Sequence, residues 1–107
     1  MTPEERMRAA LGRKADEKRM FGGVCFMRRG NMLCAASKRG FLFRVGKETE
    51  SAALKLAGVT RMKMPGSGRV FTGYVRAAPD AGAPLIRKLL AWAERHVATL
   101  PAKRKSK

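Results

Sequence analysis

Histidine is almost missing from this chain: His96 is the only one among 107 residues. A two-histidine metal site or a histidine-rich site therefore cannot be assembled within one chain. Acidic side chains are scarce too, with Asp plus Glu numbering 8. Glu4, Glu5, Asp16, Glu17, Glu48 and Glu50 fall in expected helix starts or connectors, so no pair of carboxylates is expected to converge on a cleft as glycoside hydrolysis requires. The two cysteines, Cys25 and Cys34, sit in apolar runs, where burial is expected instead of the accessible electropositive setting of a reactive thiol. No apolar run approaches the roughly 20 residues a membrane helix needs. Met1-Thr2-Pro3-Glu4-Glu5 lacks the basic and apolar regions of a signal peptide, so no membrane partner and a reducing cytoplasm are expected. Gly66-Ser67-Gly68 beside Arg69 has the look of a phosphate-cradling turn but lacks the strand and helix context of a nucleotide motif. No cofactor is implied.

Basic charge is what the chain has in excess. Lys plus Arg number 24, for a net charge of +16. The stretch from Pro101 to Lys107 holds Lys103, Arg104, Lys105 and Lys107 and reads as a basic disordered tail. The preceding 100 residues still carry 20 basic and 8 acidic side chains, so the body is basic in its own right. A molecule so charged attracts polyanions: nucleic acid, an anionic surface or an acidic protein face. With 45% hydrophobic residues the composition is that of one folded domain, over residues 1–100.

Along the chain, Thr2-Pro3-Glu4-Glu5 predicts a capped helix start, with Gly12 ending the helix. The charged run Arg13 to Arg19 reads as a solvated connector. Val24 to Met27, entered through Gly22-Gly23, predicts a strand with a bulge or close backbone approach at the glycines. Met32 to Ala36 is its return strand after the tip Arg28-Arg29-Gly30-Asn31, and a second turn at Ser37-Lys38-Arg39-Gly40 leads to Phe41 to Val45. Glu48 to Ala57 predicts a short helix closed by Gly58. Thr60 to Met64 and Val70 to Val75 read as extended. Pro84 opens the strongest amphipathic helix, with Leu85, Ile86, Leu89, Leu90, Ala93, Val97 and Leu100 on one stripe and Trp92 at its edge. His96 lies beside that stripe as a packing residue. The fold class expected is α+β with two layers: helix, three-stranded antiparallel meander, helix, one or two strands, C-terminal helix.

Two registers are open for the first hairpin. A loop at Arg29-Gly30 sets Cys25 opposite Cys34 as a candidate thiol pair, whereas a loop at Gly30-Asn31 sets Cys25 opposite Ala36. Candidate polyanion contacts are Arg28 and Arg29 at one turn, Lys38 and Arg39 at the other, and Lys103, Arg104 and Lys105 in the tail. Arg44, Lys47, Arg61, Lys63, Arg69 and Arg76 lie along or beside strands, and Phe21, Phe26, Phe41, Phe43, Phe71 and Tyr74 are the aromatics that could stack on bases. An exposed edge strand could also support a homodimer.

Met20-Phe21-Gly22-Gly23-Val24-Cys25-Phe26-Met27 followed by Gly30-Asn31-Met32 resembles the opening of the TfoX/Sxy N-terminal domain. Phe41-Leu42-Phe43-Arg44-Val45, Gly58-Val59, Thr72-Gly73-Tyr74-Val75 and Leu89-Leu90-Ala91-Trp92-Ala93 follow in that family's order, so the resemblance runs from about Thr2 to Leu100. It implies a secretion-chaperone-like α+β arrangement, a bacterial cytoplasmic setting and a non-enzymatic regulatory role through a protein partner. The family's two-domain members regulate natural competence, in company with the cyclic-AMP receptor protein at promoters. In this chain the basic tail stands where their second domain would begin. Direct nonspecific nucleic-acid binding is the alternative, and thiol redox chemistry at Cys25 and Cys34 a more distant one.

Overall fold

Thr2 begins the first helix as its spacing predicts. In the computed structural model, which describes residues 2–12, 15–20, 22–63 and 70–101, helix α1 spans Pro3–Leu11. The Thr2 hydroxyl accepts the Glu5 N–H at 3.1 Å, and the Glu5 carboxylate accepts the Thr2 N–H at 2.8 Å. This reciprocal cap satisfies two donors that a helix start leaves open. Gly12, in the left-handed conformation, ends the helix.

The next element corrects an expectation. The run from Arg13 to Arg19 is not wholly a solvated connector, because Asp16–Met20 forms strand β1. It is an edge strand, and among the described residues it pairs with β2 (Gly23–Arg28) alone. Charged side chains at an edge reach water on both faces, so such a strand lacks the apolar alternation that identifies one in sequence. The meander thus has four strands instead of three: β1, β2, β3 (Asn31–Ser37) and β4 (Gly40–Arg44). Helix α2 (Lys47–Leu54), strands β5 (Val59–Lys63) and β6 (Val70–Ala77) and helix α3 (Ala83–Ala98) complete the order. The α+β class holds, with two strands after α2.

The six strands form one antiparallel sheet in the order β1-β2-β3-β4-β6-β5. Gly23 is needed where β2 meets β3. A side chain there would strike the Ala36 carbonyl and lie 2.6 Å from Ser37 Cβ, which is the close approach the glycine pair predicts.

Neither expected hairpin register is the one found. The loop is Arg29-Gly30, with Arg28 opposite Asn31 and Met27 opposite Met32, but the register then shifts and Phe26 faces Cys34. Leu33 is the extra residue, and its side chain is buried with Phe26 and Cys34 in one core. Cys25 consequently faces Ala35.

The three described helices join that single core. Met7 and Leu11 of α1, Ala53 of α2, and Ile86, Leu89, Leu90, Ala93 and Val97 of α3 pack with Val24, Phe26, Phe41, Phe43 and Val75 of the sheet. Strand alternation sends Cys25, Met27, Met32, Ala35, Leu42, Arg44, Tyr74 and Arg76 to the opposite face. That face has no helix over it among the described residues.

Candidate binding surface

The two hairpin turns lie at opposite ends of the meander and behave differently. Arg28 lies 2.9 Å from Glu94 of α3, an ion pair without hydrogen-bond alignment, since its buried Nε and Nη2 find no acceptor in line. Arg29 donates to the Val97 and Ala98 carbonyls at 3.3 and 3.1 Å, closing the C-terminal end of α3, where carbonyls lack helical partners. Buried Asn31 donates to the Pro101 carbonyl at 2.9 Å. This turn is therefore a clasp on α3. Its arginines border an open cleft of about 700 Å³ with Leu11 and Glu94. Lys38 and Arg39, by contrast, are exposed at the other turn. Lys103, Arg104 and Lys105 lie outside the described residues, as do the Gly66–Gly68 turn, Arg69, and the side chains of Lys63, Phe21 and Phe71.

The thiols are separated by the sheet. Cys34 points into the core, and burial pushes its thiol far above the ordinary range. Cys25 is on the other face, its Sγ 3.6 Å from Met27 Sδ, and burial raises it too, against a small opposing pull from Lys18. Two sulfurs on opposite faces of a sheet cannot meet without parting the strands. Both remain neutral thiols near neutral pH.

The sequence places Glu50 only in the first turn of an expected helix. In the fold it is buried, 6% exposed, and its carboxylate accepts the Gly73 N–H at 3.1 Å and pairs with Arg61 at 3.2 Å. Gly73 has φ of 90°, and its carbonyl accepts the Val45 and Gly46 N–H groups. Glu50 thus joins α2, the β4–α2 junction and β6. Its one-dimensional signal was nil, because its partners lie 11 and 23 residues away. His96 is half-buried with its ring against Gly46, the packing role expected of it.

The uncovered sheet face carries the strand cations Lys18, Arg44 and Arg76. One register row crosses all six strands: Lys18, Cys25, Ala35, Leu42, Arg76 and Thr60. Beside it Arg44 is opposite Tyr74, with its guanidinium 5.8 Å from the ring centroid. Phe26, Phe41 and Phe43, candidates for stacking, are instead wholly buried on the helix side, while Tyr74 is half-exposed. Among the described strand residues, Asp16 at the β1 edge is the only carboxylate on this face. Glu17, the other acid of β1, turns to the helix side and pairs with Arg8 of α1 at 2.8 Å. No group of metal-ligating side chains occurs among the described residues, and no described helix is long and apolar enough to cross a membrane.

Residues 8–99 match the family model described as TfoX N-terminal domain. No curated protein and no solved structure matches the chain.

Proposed function

Because the chain belongs to the TfoX N-terminal domain family, we propose that it is a non-enzymatic regulatory domain that acts through contacts with a protein partner at DNA. The family match over nearly the whole chain carries this reading, since the family is one of regulatory domains and not a known enzyme family. The placement of the basic side chains agrees with it. Arg28 and Arg29, the cations at a hairpin tip most suited to reach into a duplex, are engaged with α3. Among the other described cations, Lys38 and Arg39 lie at the second turn and Arg44 and Arg76 on the sheet face, and charge alone attracts DNA without reading its sequence.

The test compares the affinity of the full chain for a bare duplex and for the same duplex carrying a bound transcription factor of the cyclic-AMP receptor class. At physiological salt the loaded duplex should bind at least about tenfold more tightly, a difference of about 1.4 kcal/mol. Equal affinity for the two, with preference for one DNA sequence, would make DNA itself the target and sink the proposal.

A further inference from the structure

The sheet face with no described helix over it has a composition that neither a second copy of this chain nor a DNA groove would match. Its neighbouring strands β4 and β6 present Arg44, Arg76, Tyr74 and Leu42, with Lys18 at the far end of the row that holds Leu42 and Arg76. A second copy would bring another net +16 against these cations, so self-association through this face opposes its own charge. Six strands at about 4.8 Å spacing make a face about 24 Å across, which the roughly 12 Å major groove of a duplex does not admit. The outside of a duplex offers phosphate and sugar but nothing for Leu42 and Tyr74 to cover. An unpaired strand offers both features at once, phosphates on its backbone and the flat apolar faces of its bases.

We propose that this open face, centred on Arg44, Tyr74 and Arg76, binds single-stranded nucleic acid without sequence preference. Arg44 and Arg76 lie diagonally across the β4–β6 pair, since Arg44 faces Tyr74 and Arg76 faces Leu42. Diagonal positions on one face are about 7–8 Å apart, so two phosphates of one strand can be met while a base lies over Leu42 and Tyr74, which occupy the other diagonal. Thr60 is exposed at the end of the row and adds a hydroxyl for phosphate or sugar. The absence of carboxylates from β4, β5 and β6 on this face, among the described residues, leaves no local repulsion against the backbone. This activity goes beyond the regulatory reading and does not rest on it.

The experiment uses the full chain and a fluorescein-labelled oligo-dT longer than the ~16-nucleotide upper site size of comparable platforms. Anisotropy titrations are run across a salt series against the wild type, the pair Arg44→Gln with Arg76→Gln, and the charge-matched pair Lys38→Gln with Arg39→Gln. The glutamines keep the aliphatic stems over the sheet. The face variant should bind about tenfold more weakly or worse, with the salt slope reduced by about 1.4, from about 0.7 per lost phosphate contact. The turn variant should change less than about twofold. Equal losses in both pairs would reduce the binding to bulk charge and overturn the assignment. Two outcomes with the wild type alone would do the same without relying on any variant's folding. One is a duplex of equal length binding as tightly as the oligo-dT. The other is poly-glutamate displacing the oligomer as well as unlabelled oligo-dT does, which would mark the face as a dock for acidic protein segments.

Discussion

Glu50 shows how much a single side chain can organise in a small domain. Its carboxylate satisfies the Gly73 N–H inside the fold and holds Arg61 at the surface. Glu50→Ala strands that N–H in a buried place, and an unsatisfied buried donor costs about 1–3 kcal/mol. Urea unfolding should register a loss of that size, with Glu50→Gln losing less because its amide oxygen can still accept from Gly73. The thiols give a second expectation at this scale. Cys34 and Cys25 have folded-state affinities for their protons raised by burial. A raised group stabilises the fold fully below its unfolded value, and that stability is lost as pH rises. Above about pH 8.5 the unfolded chain releases thiol protons that the native chain keeps, so stability should fall by up to about 1.4 kcal/mol per pH unit for each thiol. Cys34→Ala should shrink this alkaline slope. Under native conditions at pH 8 neither thiol should react with a disulfide reagent, whereas both should react in denaturant.

At the scale of elements, some parts were legible and others were not, for identifiable reasons. The cap at Thr2 and Glu5, the stop at Gly12 and the stripe of α3 are local patterns, read within a turn or two of chain. β1 was hidden because its residues, Asp16 to Arg19, are charged and an edge tolerates that. The hairpin loop was among those weighed, but the bulge at Leu33 was not, since nothing local distinguishes a residue that doubles up on the core face. The clasp of Arg28, Arg29 and Asn31 on α3 was equally invisible, joining residues 66 or more positions apart. It makes a prediction of its own. Asn31→Ala removes a buried bond to Pro101 and should destabilise by about 1–2 kcal/mol. Amide exchange should then quicken first in the last turn of α3, near Val97 and Ala98. Uniform acceleration along the whole chain would mean that the clasp is not a local device.

For the whole molecule, the basic charge and the one-sided layering belong together. The described helices cover one face of the sheet, and the other keeps its arginines and its half-exposed tyrosine. The candidate contacts in the sequence were the hairpin tips, because turns project, and the basic tail, which lies outside the described residues. Half of the described ones, Arg28 and Arg29, turned out to serve the fold, while Arg44 and Arg76 became conspicuous only once the register put them diagonally on one surface. That surface, and not the turns, is the working face of the domain in this view. Hydrogen–deuterium exchange of the full chain, alone and saturated with oligo-dT, tests it most directly. Protection should rise in Gly40–Arg44 and Val70–Ala77, with α1 and α3 unchanged. Protection confined to the Arg28–Asn31 turn and the end of α3, with β4 and β6 unaffected, would contradict it.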